Sequence, residues 1–166
     1  MSAAHIISLQ IQGGDWKNQL TQIEKFVEET ALAVLTIGWS QIQPVELSVV
    51  LADDAFVQKL NGRYRNQHKA TNVLSFPTFE EDPSHMITAV AGPPVLLGDV
   101  VLAFETCVTE SLYIKSASQF ADHTRHLLVH GILHLLGHNH EEDIEAGRMT
   151  AIEKQVLAGF GVADPY

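Results

Sequence analysis

The chain has 166 residues, 46% hydrophobic and 18% charged, with a formal net charge of -10. That length fits one domain with its own core, no apolar run is long enough for a membrane span, and the acidic balance argues against a protein that coats nucleic acid indiscriminately. Cys107 is the only cysteine, so no internal disulfide is possible, and MSAAHIISLQIQ carries neither the basic region nor the long apolar stretch of a signal peptide, which leads us to expect a cytoplasmic protein.

The elements follow in chain order. Residues 5–11 alternate between His5, Ile7, Leu9, Ile11 and Ile6, Ser8, Gln10, which predicts a strand closed by Gly13 and Gly14. Asp15 is placed to cap one helix running to about Ile37, with Leu20, Ile23, Phe26, Val27 and Leu35 on its buried face and Gly38 as its stop. Pro44 opens PVELSVVLA, a β-branched run of strand length, and Asp53 can cap the short helix DAFVQKLNGRY. TNVLSFP reads as a strand ending at Pro77. Residues 80–95, with three prolines, one glycine and no periodicity, read as a loop.

LLGDVVLA (96–103) is the next strand, followed by a short helix from Glu105. Ser116 and Gln119 have capping-box spacing for a longer helix that carries Phe120, Leu127, Leu128, Ile132 and Leu135, with Gly137 at its C-terminal cap. A last helix spans about Glu142 to Leu157. Strands interleaved with helices give an α+β fold, a single domain over 1–166 with a small mixed β-sheet packed against helices. Trp16, Trp39, Phe104, Cys107 and Met149 all fall in or beside apolar periodic stretches and are assigned to the core.

The chemistry concentrates in HGILHLLGHNH, residues 130–140, with four histidines in eleven residues. His130 and His134 lie one turn apart on one helix face, so two imidazoles can reach one ion. Gly137 turns the chain back and lets His140 approach from the far side. The spacing His-x-x-x-His-x-x-Gly-x-x-His is that of metzincin ligands, and three neutral imidazoles leave a fourth position open, the layout of a catalytic zinc site at the end of a helix. His138 is the spare histidine. A zinc peptidase of this spacing places glutamate directly after the first histidine as general base; here that residue is Gly131.

HGILHLLGHNH, together with RYRNQHKATNVLSFP and LLGDVVLA, resembles the YbeY family of metal-dependent endoribonucleases, in order from about residue 44 to about residue 160. The resemblance implies cleavage of single-stranded RNA. It also implies a role in ribosomal RNA maturation, above all at the 3′ end of the small-subunit RNA, and in ribosome quality control. His130, His134 and His140 would hold one metal ion, expected to be zinc, and Arg65 matches the family's functional arginine. The expected partners are single-stranded RNA, ribosomal RNA and the ribosome, with no membrane and no DNA. Four motif positions depart from the pattern: His68 for aspartate, Ala70 for proline, His138 for tyrosine and Asn139 for aspartate. The last removes a carboxylate beside the third ligand, where one could orient an imidazole.

These residues define a candidate chemistry. Arg65 would clamp the scissile phosphate through bidentate guanidinium geometry, with His134 beside it in the catalytic centre. Arg63, His68 and Lys69 could extend a cationic lip along the RNA, and Ser75 could bond substrate from its strand end. The alternatives are a zinc-dependent peptidase, another metallohydrolase and a non-catalytic ribosome-binding protein.

Overall fold

The computed structural model describes residues 4–67, 71–87 and 92–166; His68, Lys69 and Ala70 lie outside the described residues. Four strands, β1 (Ile6–Gln12), β2 (Val45–Ala52), β3 (Val73–Pro77) and β4 (Val95–Ala103), form one sheet in the order β1-β2-β4-β3. β1, β2 and β4 run parallel, and β3 pairs antiparallel with β4, so the sheet is mixed as expected. The alternation in β2 is the reason it is central. Val45, Leu47, Val49 and Leu51 are fully buried on one face, while Val50 and Ala52 serve the other.

Helices occupy both faces. α1 (Trp16–Gln19), α2 (Ile23–Gly38), α4 (Phe104–Ser111), α5 (Gln119–Leu135) and α6 (Asp143–Gly159) contribute to the larger core. α3 (Asp54–Arg65) covers the opposite face over Leu74, Val101 and Ala103. Asp53 caps α3 as anticipated, its carboxylate accepting from the Phe56 amide at 2.8 Å. Trp16 and Trp39 are core, their indole N–H groups donating to the carbonyls of Ala52 and Gln43. Cys107 and Met149 are also buried, and burial pushes the Cys107 thiol up, away from reactivity.

Three expectations need correction. The single helix expected from Asp15 to Ile37 is two helices, and the Asp15 carboxylate caps neither but accepts from the Asn18 side chain. Leu20 is extended and Gln22 is left-handed at φ 51°, a break that lets Trp16 and Leu20 pack as well as Ile23 and Phe26. Ser116 does not form a capping box. Its hydroxyl donates to Asp122 and accepts from the Ser118 amide, and α5 begins at Gln119. The segment read as loop contains a 3₁₀ turn at Pro83–Met86, capped by Asp82, and β4 starts one residue earlier than its expected Leu96.

α5 is the element that positions the site. It crosses the sheet at Gly131, where an added Cβ would lie 2.6 Å from Val100 Cγ1 and 3.2 Å from Val73 Cγ2. Only a residue without a side chain allows helix and sheet to approach this closely. Ser75, on the same sheet face, donates its hydroxyl to the Gly131 carbonyl at 2.9 Å and ties the two layers together.

Candidate metal centre

The last turns of α5 present His130 and His134 from one face, and Gly137 ends the helix. Gly137 is left-handed at φ 91°, its amide donates to the His134 carbonyl, and the His138 amide donates to the Leu133 carbonyl. This pair of bonds is a Schellman motif, and it reverses the chain towards His140. The motif also sets a steric requirement, since a Cβ at 137 would lie 2.8 Å from the Asp82 backbone.

The three imidazoles converge. One ligand atom from each of His130, His134 and His140 lies within 4.8 Å of the others. The Nε2 atoms of His130 and His134 are 3.1 Å apart. Two nitrogens bound tetrahedrally to one zinc ion would be separated by roughly 3.3 Å. The His140 ring stacks on His130 at 4.9 Å and stands at 90° to His134. Imidazoles with their edges turned to a common point fit a transition-metal ion, and this donor set suits zinc, copper, nickel or iron.

Each of the two helical imidazoles has its other nitrogen occupied. His134 Nδ1 donates to the His138 carbonyl at 2.8 Å, which leaves Nε2 with the lone pair. Burial, and then the neighbouring His130, lower the His134 pKa to about 4, so the ring is neutral, as a ligand must be. His130 Nδ1 faces the Glu153 carboxylate at 2.7 Å. Burial alone would raise the Glu153 pKa, but hydrogen bonds from His126, His130 and Tyr166 outweigh it and hold the carboxyl well below its ordinary range.

Glu153 and His126 are the residues the motif reading missed. Asn139, where a supporting carboxylate was sought, instead caps the Glu141 amide through its side-chain oxygen. The carboxylate comes from α6. A signal for it was present: Met149, Glu153, Val156 and Leu157 share a buried helical stripe, and a carboxylate on an apolar stripe needs partners. His126 likewise stands four residues before His130 on α5, so three histidines share one helical face.

The histidines open into a cleft of about 520 Å³, and Arg65, Asn72, Ser75, Pro77 and Phe79 line its other side. Arg65 is the last residue of α3, and its guanidinium donates to the Ser75 carbonyl at 3.3 Å. Arg65 is thus brought together with the histidines from a distant part of the chain. Arg63 is not among the lining residues. Two helical positions rotate it about 200° from Arg65, and it borders a groove with Ala55, Phe56 and Lys59 instead. Ser75 lines the cleft, but its hydroxyl is directed to Gly131. The general-base position of a zinc peptidase is closed, because a side chain at 131 would run into Val100 rather than towards the histidines.

Comparison with known proteins places the chain in a family. The family model described as endoribonuclease YbeY matches residues 10–161. The endoribonuclease YbeY of Parvibaculum lavamentivorans is 46% identical over 156 residues, covering 93% of this chain and 81% of its own length. That of Paramagnetospirillum magneticum is 51% identical over 137 residues, covering 81% and 80%. A Thermotoga maritima protein solved in solution shares the fold, with a TM-score of 0.51 at 22% identity over 96% of this chain and 98% of the other. Matched by its family model along nearly its whole length, and by relatives at about half identity, the chain belongs to the YbeY family of endoribonucleases.

Proposed function

We propose that this protein is a single-strand-specific endoribonuclease that uses one zinc ion per chain and acts in the cytoplasm on ribosomal RNA, at the 3′ end of the small-subunit RNA and in ribosome quality control. The observation that carries the reading is one cleft with three converging imidazoles on one side and Arg65 on the other. Family membership supports RNA as the substrate class. Among the described residues no helix is long and apolar enough to cross a membrane.

His130, His134 and His140 would hold the metal. When bound, it would supply Lewis acidity at a phosphoryl oxygen and lower the pKa of water at its open position. The protein's own groups do the remaining work. Arg65 offers a planar fork of donors that matches phosphate oxygens, and negative charge grows on those oxygens in the transition state. The Ser75 carbonyl accepts from that fork at the cleft wall. The His138 carbonyl and Glu153 hold the two helical imidazoles in the orientation that turns Nε2 inward.

The test is cleavage of a labelled single-stranded RNA by metal-loaded protein, beside His134→Ala and Arg65→Ala prepared identically, with the same sequence as duplex and as DNA. Cutting of single-stranded RNA by wild type alone is the expected result. Equal cutting by all three proteins would identify a contaminant and sink the reading, as would preferential turnover of an unfolded protein substrate.

A further inference from the structure

Behind the histidines lies a hydrogen-bond hub that phosphate chemistry does not use. Glu153 is 1% exposed. One of its oxygens accepts from His130 Nδ1 at 2.7 Å; the other accepts from His126 Nε2 at 3.1 Å and from the Tyr166 hydroxyl. Among the described residues its ion-pair partners are these two histidines, and no lysine or arginine joins them. A buried carboxylate held only by imidazole and phenol donors is poor value for stability, since an apolar side chain of similar volume would do as well. Its geometry serves the metal ligand instead. An N–H at His130 Nδ1 forces the lone pair onto Nε2, the atom that faces His134 Nε2 at 3.1 Å.

The hub has an outer support. Lys154 Nζ contacts Asp164 Oδ2 at 3.1 Å, and Asp164 Oδ1 accepts from the Tyr166 amide at 2.9 Å. The Tyr166 residue is 64% exposed, yet its hydroxyl reaches inward to Glu153 and its ring packs edge-on to His126 at 5.6 Å. Residues 162–166 therefore pass over the hub beside His123 and His126, in a pocket separate from the cleft where RNA would bind.

We infer that Glu153 is the positioning residue of the metal centre, fixing the tautomer of His130, and that residues 162–166 form a clasp in which Tyr166 keeps the Glu153 carboxylate aimed. This rests on the reading of His130, His134 and His140 as metal ligands. It divides the support of the two helical imidazoles between a charge for His130 and a backbone dipole for His134.

The experiment measures zinc affinity of the full chain by competition with a chromophoric chelator, and the His130 tautomer by long-range ¹H–¹⁵N correlation in the metal-free protein. Glu153→Gln, Tyr166→Phe and wild type are compared, with melting of the metal-free proteins as the folding control. Glu153→Gln is expected to weaken zinc binding by about 10–100-fold and to mix the His130 tautomers. Tyr166→Phe, which keeps the exposed ring, is expected to lose about tenfold or less in the same direction. Zinc bound equally by wild type and a folded Glu153→Gln, with one His130 tautomer in both, would overturn the role of Glu153. If Glu153→Gln does not fold, Tyr166→Phe decides, and wild-type affinity with an unchanged tautomer overturns the inference. Wild-type protein that takes up no zinc would overturn the metal-site reading and this one with it.

Discussion

The two walls of the cleft are built by different means. The histidine wall stands mostly on α5, a helix with a buried core face, and its His130 and His134 imidazoles are each held at the second nitrogen. The arginine wall carries the exposed Arg65 side chain at the end of α3, which among the described residues makes one bond, at 3.3 Å, to a backbone carbonyl. A metal site loses affinity with small misplacement, so on the proposed reading the two helical imidazoles are oriented before an ion would arrive. A phosphate clamp on a flexible substrate gains from reach, and a long guanidinium arm can close as the strand settles. The contrast assigns preorganisation to one wall and adaptation to the other.

The largest effect that would break this contrast is loss of the metal wall. Removal of the ion by a chelator, or His134→Ala, should lower RNA cleavage by more than about 100-fold, and metal content measured on the same samples should fall with it. Arg65→Ala comes next. It should cut kcat by about 10²–10³-fold while zinc affinity stays at the wild-type value, because the guanidinium touches no ligand. Arg65→Lys should recover only part of the rate, since an ammonium lacks the fork. A loss of zinc affinity in Arg65→Ala would show that the walls are not independent.

Smaller effects test how rigid the histidine wall is. Gly131→Ala places a methyl group 2.6 Å from Val100 Cγ1 and should cost about 1–3 kcal/mol, read as a fall in Tm of several degrees. Ser75→Ala removes the tie to the Gly131 carbonyl and should cost about 1 kcal/mol in urea unfolding. Cleavage per folded molecule should persist in Ser75→Ala, because the carbonyl that holds Arg65 is backbone. A raised KM without a stability change would instead return the Ser75 hydroxyl to substrate binding.

Much of this was determined by the sequence alone. The strands and most helix limits follow from periodicity and caps, because Asp53 and Gly137 act on backbone groups within a few residues. The histidine triad is equally local, since i, i+4 spacing and one glycine turn bring three imidazoles together without help from the rest of the chain. The family resemblance was carried by linear motifs of the same kind.

The tertiary structure decided what depends on contacts between distant segments. It split the expected first long helix, where packing of Trp16, Leu20 and Ile23 overrode continuous helical propensity. It separated Arg65 from Arg63, neighbours in sequence on opposite faces of α3. It gave the Ser75 hydroxyl to α5 and found the supporting carboxylate at Glu153, not at position 139 beside the ligands. A ligand motif is short because a metal ion is small and local. The groups that hold ligands in place come from wherever the packed core delivers them, and that is settled by the balance of burial and hydrogen bonding over the whole fold.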